Sequence, residues 1–162
     1  KVITQTKIVE KPRDFTANFA SGVSFYEPTN SNYRFFSAAV RYEMINRWVR
    51  VPGLKAGTFW GEAQSRLHYS DLKRDVVSFG VRAGYAYPLL SALKVTGNHR
   101  IDLDTGVYAI AGSNVLQNIT TADYDLGLGS YFEVAYGFTR LGVFGEFARQ
   151  LPVFGLSLGR KI

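Results

Sequence analysis

The chain has 162 residues, 46% of them hydrophobic, 15% aromatic and only 20% charged. That is length for one domain and too apolar for a disordered chain. It contains no Cys and two His, which excludes disulfide frameworks, thiolate nucleophiles and Cys-based zinc sites and leaves no metal or cofactor suggested. The formal charge is +6, yet no Lys/Arg run exceeds two residues, so a nucleic-acid partner is not indicated.

No apolar run is long enough for a membrane-crossing helix. The chain opens on Lys1 without an apolar leader, which reads as an exported and processed product. Residues 1–13 alternate weakly, are basic and end just after Pro12. They read as an N-terminal extension ahead of a domain covering 14–162.

From Asp14 the pattern is strict period two, the signature of β-strands. The first segment sets Phe15, Ala17, Phe19, Val23 and Phe25 against Thr16, Asn18, Ala20, Gly22 and Ser24, and breaks in a turn at Pro28 to Asn32. The second sets Phe36, Ala38, Val40, Tyr42 and Met44 against Ser37, Ala39, Arg41 and Glu43. The third sets Phe59, Ala63, Leu67 and Tyr69 against Glu62, Gln64 and Arg66. The fourth opposes Val77, Phe79, Val81, Ala83, Tyr85 and Tyr87 to Ser78, Gly80, Arg82, Gly84 and Ala86, and is expected to stop at Pro88, with Pro88 to Val95 as a short helical turn. The fifth opposes Ile101, Leu103, Val107 and Ala109 to Asp102, Asp104, Gly106 and Tyr108. The sixth opposes Leu126, Leu128, Phe132, Val134 and Tyr136 to Gly127, Gly129, Tyr131 and Glu133. Leu141, Val143 and Phe147 against Gly142, Phe144 and Glu146 make the seventh; Phe154, Leu156 and Leu158 against Gly155, Ser157 and Gly159 make the eighth.

Eight such strands fit a soluble barrel with its apolar face inward or a membrane barrel with that face outward. The second face decides. A solvated convex wall calls for Lys, Glu, Thr and Gln on every strand, but this face is Gly, Ala and Ser interspersed with Arg41, Glu43, Glu62, Arg66, Arg82, Asp104, Glu133 and Glu146. Small residues suit a crowded concave interior, and mixed charges there can pair across it. The expected fold is therefore all-β: an eight-stranded antiparallel transmembrane β-barrel, an up-and-down meander closed between the Phe15 and Phe154 strands. Its lumen carries those eight residues as a charge network. Tyr26, Tyr33, Tyr69 and Tyr124 near one set of strand ends, and Trp48, Tyr85, Tyr87 and Tyr136 near the other, are expected to form interfacial girdles.

In this pattern and strand count, Asp14 to Ile162 resembles the small eight-stranded outer-membrane barrels of Gram-negative bacteria, the OmpA transmembrane domain and OmpX type. The last segment, FGLSLGRKI, is similar to their C-terminal assembly signal in alternating Phe154, Leu156 and Leu158 up to a hydrophobic last residue. The resemblance implies a bacterial outer-membrane location, contact with membrane lipids and lipopolysaccharide, passage through the outer-membrane assembly machinery, and a monomer. It implies a structural or binding role, or at most a narrow, porin-like solute path.

Two other functions compete. His68-Tyr69-Ser70 looks like the His-x-Ser of outer-membrane lipid A deacylases, in which His68 would be the base and Ser70 the nucleophile. The family's Asn-Ala after the Ser is Asp71-Leu72 here, and the bland reading is a strand end entering a turn. A soluble lipocalin-like carrier is the other, although Gly57-Thr58-Phe59-Trp60 places its Gly and Trp in the third strand rather than the first. No enzyme activity is expected. Counting by phase gives the lumen a charge of about −3, and the remaining positive charge falls at the terminal end, where Arg47, Arg50, Lys94 and Arg140 are expected to make a basic periplasmic rim facing anionic headgroups.

Overall fold

The computed structural model describes residues 15–26, 30–44, 57–70, 73–94, 100–116 and 122–162. The expected 1–13 extension, together with Arg47, Trp48 and Arg50, lies outside the described residues. Eight strands follow in chain order: β1 Phe15–Tyr26, β2 Ser31–Met44, β3 Thr58–Ser70, β4 Lys73–Lys94, β5 Arg100–Leu116, β6 Ala122–Tyr136, β7 Thr139–Ala148 and β8 Val153–Lys161. Each pairs antiparallel with the next, and β1 pairs with β8, which closes the sheet into a barrel without a helix among the described residues. Closure removes the exposed edges that an open sheet of this length would carry.

Period-two alternation holds on every strand, and its sense is inverted relative to a soluble core. The outward phase is apolar and open: Phe147 is 78% exposed, Leu126 69%, Val107 65% and Phe154 62%. The inward phase is polar and closed, with Glu146 at 2%, Glu133 at 3% and Arg66 at 5%.

The inner glycines explain how so narrow a barrel holds large rings. A Cβ on Gly84 would meet Trp60 Cζ2 at 2.7 Å, one on Gly106 would meet Tyr131 Cζ at 2.6 Å, and one on Gly155 would meet Phe35 Cζ at 2.7 Å. Each ring lies over a residue with no side chain, on the adjacent strand for Trp60 and Tyr131 and two strands away for Phe35, the small-to-large complement that a filled eight-strand barrel needs. At the β6–β7 turn Gly137 takes φ 58°, a left-handed conformation open to glycine at no steric cost, so two residues suffice to reverse the chain.

Two local expectations are corrected. Pro88 does not end the fourth strand, and the segment after it is not helical. β4 continues to Lys94, with its register against β5 shifting between Pro88 and Leu90 and again between Leu90 and Leu93. These irregularities absorb the missing N–H of proline within an extended chain. Tyr26 and Tyr33 are not interfacial. Both point inward, 3% and 2% exposed, and meet edge to face with ring centroids 6.3 Å apart. Tyr26 is in step with Ser24 and Tyr33 with Phe35, so the phase of each strand carries them into the lumen.

Candidate functional site: a charged and ring-filled lumen

The inward phases of β2, β3, β4, β6 and β7 bring their charges together along the barrel axis. Arg66 of β3 donates two bonds of 2.5 Å each to Glu146 of β7. Arg82 of β4 joins the two halves of the network, bonding Glu62 at 2.6 Å and also Glu146. Arg41 of β2 meets Glu62 at 3.2 Å and Glu133 at 3.5 Å. Asn18 donates to the same Glu62 at 2.7 Å, and Tyr108 to Glu146 at 3.0 Å. A buried carboxylate without donors is costly, whereas here each of Glu62 and Glu146 accepts from at least three groups.

The guanidinium groups also lie over rings. The Arg41 carbon lies 4.4 Å from the Trp60 centroid and 5.3 Å from that of Tyr131. That of Arg66 lies 5.4 Å from Phe35, and that of Arg82 lies 5.2 Å from Tyr108. Trp60, Tyr108 and Tyr131 contact one another, with centroids 5.4 to 6.1 Å apart. Such cation–π contacts gain strength when desolvated, and they fill the space between successive ion pairs. A small void beside Gln64, Ser78, Asn114 and Asp125 measures about 30 Å3, room enough for a water.

Of the residues expected in the lumen network, Arg41, Glu43, Glu62, Arg66, Arg82, Glu133 and Glu146 form one connected set of ion pairs. Asp104 is half-buried on the inward phase of β5, opposite Glu133 in the ladder, and makes no ion pair among the described residues. Arg140 departs from expectation: instead of lining a basic rim it is 9% exposed and bonds Glu43 at 2.6 Å and Glu133 at 2.8 Å. It is the second residue of β7 and in phase with Gly142 and Phe144, so the strand turns it inward. Lys161 of β8 reaches Glu43 at 3.1 Å and extends the network to the end of the barrel where β1 begins and β8 ends. The sequence reading assigns Arg140 and Lys161 to the terminal end because nearness to a strand end outweighs phase there, whereas the phase of β7 and β8 turns both toward Glu43. Lys94 closes β4.

Tyr69, Tyr85, Tyr87, Tyr124 and Tyr136 are on the outward phase; Tyr124 is 84% exposed, and the Tyr85 hydroxyl accepts from the Gly57 N–H at 2.8 Å. His68 is fully buried, with Nδ1 2.7 Å from Ser24 Oγ and Nε2 3.0 Å from Ser78 Oγ. Both ring nitrogens are thus taken by serines of β1 and β4, and the His68 and Ser70 of the hydrolase alternative are not joined by a hydrogen bond. No group of His, Asp and Glu suited to a metal occurs among the described residues. Comparison with protein-family models, curated proteins and solved structures finds no match.

Proposed function

We propose that this chain is a bacterial outer-membrane protein whose barrel spans the lipid bilayer and serves a structural or binding role with a side-chain-filled lumen. The observation that carries the reading is the inversion of the barrel: large apolar side chains cover the outside, while four arginines and four glutamates are paired within. In water, an outer wall of Phe, Leu and Val would be an aggregation surface far larger than monomeric proteins carry. Against hydrocarbon it is the favoured one.

The packed rings and ion pairs support a closed barrel over one that passes solutes, since eight strands leave an interior that side chains can fill. A lipocalin-like carrier needs the opposite arrangement, an apolar cavity under a solvated wall. In the outer-membrane reading, the assembly machinery, the surrounding lipid and lipopolysaccharide are the partners, and the chain acts as a monomer resembling the OmpA and OmpX type.

Refolding from urea tests this. The chain is expected to gain β structure only when detergent micelles or vesicles are supplied, and to migrate differently on gels before and after boiling. A monomer that folds in plain buffer and stays soluble overturns the proposal and favours the carrier.

A further inference from the structure

At the end of the barrel remote from the start of β1 and the end of β8, five strands set one residue each in a single row across the outer wall. Gly145 of β7 pairs with Phe154 of β8, Phe154 with Val23 of β1, Val23 with Arg34 of β2, and Arg34 with Tyr69 of β3. All five are on the outward phase. Four carry side chains and Gly145 does not, so the wall is notched there. A groove of about 670 Å3 runs along this row, with Phe25 and Phe147 on its upper side.

The notch is open space. A Cβ on Gly145 would meet nothing nearer than the Phe154 ring at 3.7 Å, whereas Cβ atoms on most inward glycines would collide. Packing of the barrel therefore does not require glycine at 145. The groove is mostly apolar, with Asn32 and Ser70 among its polar lining residues, and Arg34 is its one cation, exposed and with no ion pair among the described residues. It stands three strands from Gly145, about 14 Å at roughly 4.8 Å per strand. Val23 is 57% exposed, Phe154 62% and Phe147 78%, so the groove walls face whatever surrounds the barrel.

Resting on the membrane reading above, we infer that this groove binds one anionic phospholipid, its acyl chain along Gly145, Phe154 and Val23 and its phosphodiester on Arg34. An apolar channel with a single cation at one end matches an amphiphile with a single negative headgroup. Arginine donates in a fork to phosphate oxygens, and its long stem lets the guanidinium reach the headgroup level from an apolar wall.

The experiment titrates short-chain phosphatidylglycerol, and in a parallel arm short-chain phosphatidylcholine, into the folded chain in neutral detergent micelles, following the backbone amide resonances of Arg34 and Gly145. Phosphatidylglycerol is expected to shift both saturably, with phosphatidylcholine weaker. In Arg34→Gln the affinity is expected to fall about tenfold, the loss of one charge-assisted contact. In Gly145→Leu, which fills the notch from the outside, saturable binding is expected to vanish while the fold persists. Equal shifts with both lipids, an unchanged affinity in Arg34→Gln, or saturation by a phosphorylated glycolipid and not by phosphatidylglycerol would each overturn the inference. So would self-association that protects the Gly145 amide, because a second copy would then be the occupant. A chain that folds in plain buffer overturns the membrane reading before any lipid is added, whereas one that folds only in micelles but shows no saturable shift overturns the groove alone.

Discussion

Arg66 and Glu146 face each other across the full width of the lumen, β3 and β7 being four strands apart either way round the ring, and they meet as a two-bond fork with both N–O distances 2.5 Å. The pair ties opposite walls together at a point where neither side chain reaches water. Its partners are unequal. Glu146 also receives Arg82 and Tyr108, while Arg66 has no other carboxylate among the described residues. Glu146→Gln therefore leaves Arg66 as an uncompensated buried charge and is expected to destabilise by about 3–5 kcal/mol. Arg66→Met should cost less, since Glu146 keeps two donors. Urea titration of both variants in vesicles checks the order; equal losses would mean that Arg66 is solvated through another route.

Arg82 is the joint between two clusters, one around Glu62 and the other around Glu146. A double-mutant cycle of Arg82→Met with Glu62→Gln is expected to show coupling of about 0.5–3 kcal/mol. The cycle with Glu133→Gln should show coupling near zero, because Glu133 bonds Arg41 and Arg140 instead. Strong coupling to Glu133 would mean that the network is arranged differently in the folded protein.

The strands, their order and the facing of nearly every residue were legible from period two, since alternation in an antiparallel meander is a local property. What alternation does not carry is which inward charges meet. Arg66 and Glu146 are 80 residues apart and adjoin only because β1 closes on β8. Arg140, Tyr26 and Tyr33 were misplaced for a simpler reason: each lies near a strand end, and ends were read as interface. Counting phase from Gly142, Ser24 and Phe35 turns all three inward. His68 was read for its motif, yet its burial follows from being in step with Glu62 and Arg66 on the same strand. The groove at Gly145 had a trace in sequence too, a glycine in the apolar phase between Val143 and Phe147, but its meaning depends on Arg34 being three strands away.

The serine environment of His68 gives a prediction that separates packing from catalysis. His68→Leu removes the partner of two hydroxyls, Ser24 buried and Ser78 half-buried, and is expected to cost about 1–3 kcal/mol. Ser70→Ala, which breaks neither bond, should leave stability unchanged and should not alter any ester hydrolysis measured on the folded chain. A Ser70→Ala variant that loses hydrolysis present in the parent would restore the hydrolase reading.

Two glycines on neighbouring strands report the sidedness of the wall. A Cβ at Gly84, on the inward phase of β4, would lie 2.6 Å from Tyr108 Cβ and 2.7 Å from both Trp60 Cζ2 and the Val107 carbonyl. Backbone is among those obstacles, so Gly84→Ala forces the sheet to shift and is expected to destabilise by about 1–3 kcal/mol. At Gly61, on the outward phase of β3, the nearest atom is the Arg82 carbonyl at 4.0 Å. Gly61→Ala should be neutral or slightly stabilising, because alanine narrows the unfolded ensemble. Thermal or urea unfolding of the two variants should differ accordingly.

The strongest test of the inverted barrel places a charge on its outer wall. Phe79 and Val81 are 55% and 58% exposed on the outward phase of β4, eight and six residues before Tyr87 ends the regular run. Across the neighbouring ladders they face Ser65 and Ala63 of β3 and Ser113 and Ala111 of β5, small residues that leave room for a long side chain. In water, arginine at either position would be a benign surface change, within about 0.5 kcal/mol. Against hydrocarbon it costs about 2–4 kcal/mol at mid-bilayer and less toward the interface. Phe79→Arg and Val81→Arg are therefore expected to fold poorly into vesicles, while Phe79→Leu and Val81→Leu fold like the parent. The penalty should shrink in thinner bilayers, as either position comes closer to the headgroups. Arginine variants that match the parent in every bilayer would place this wall in water.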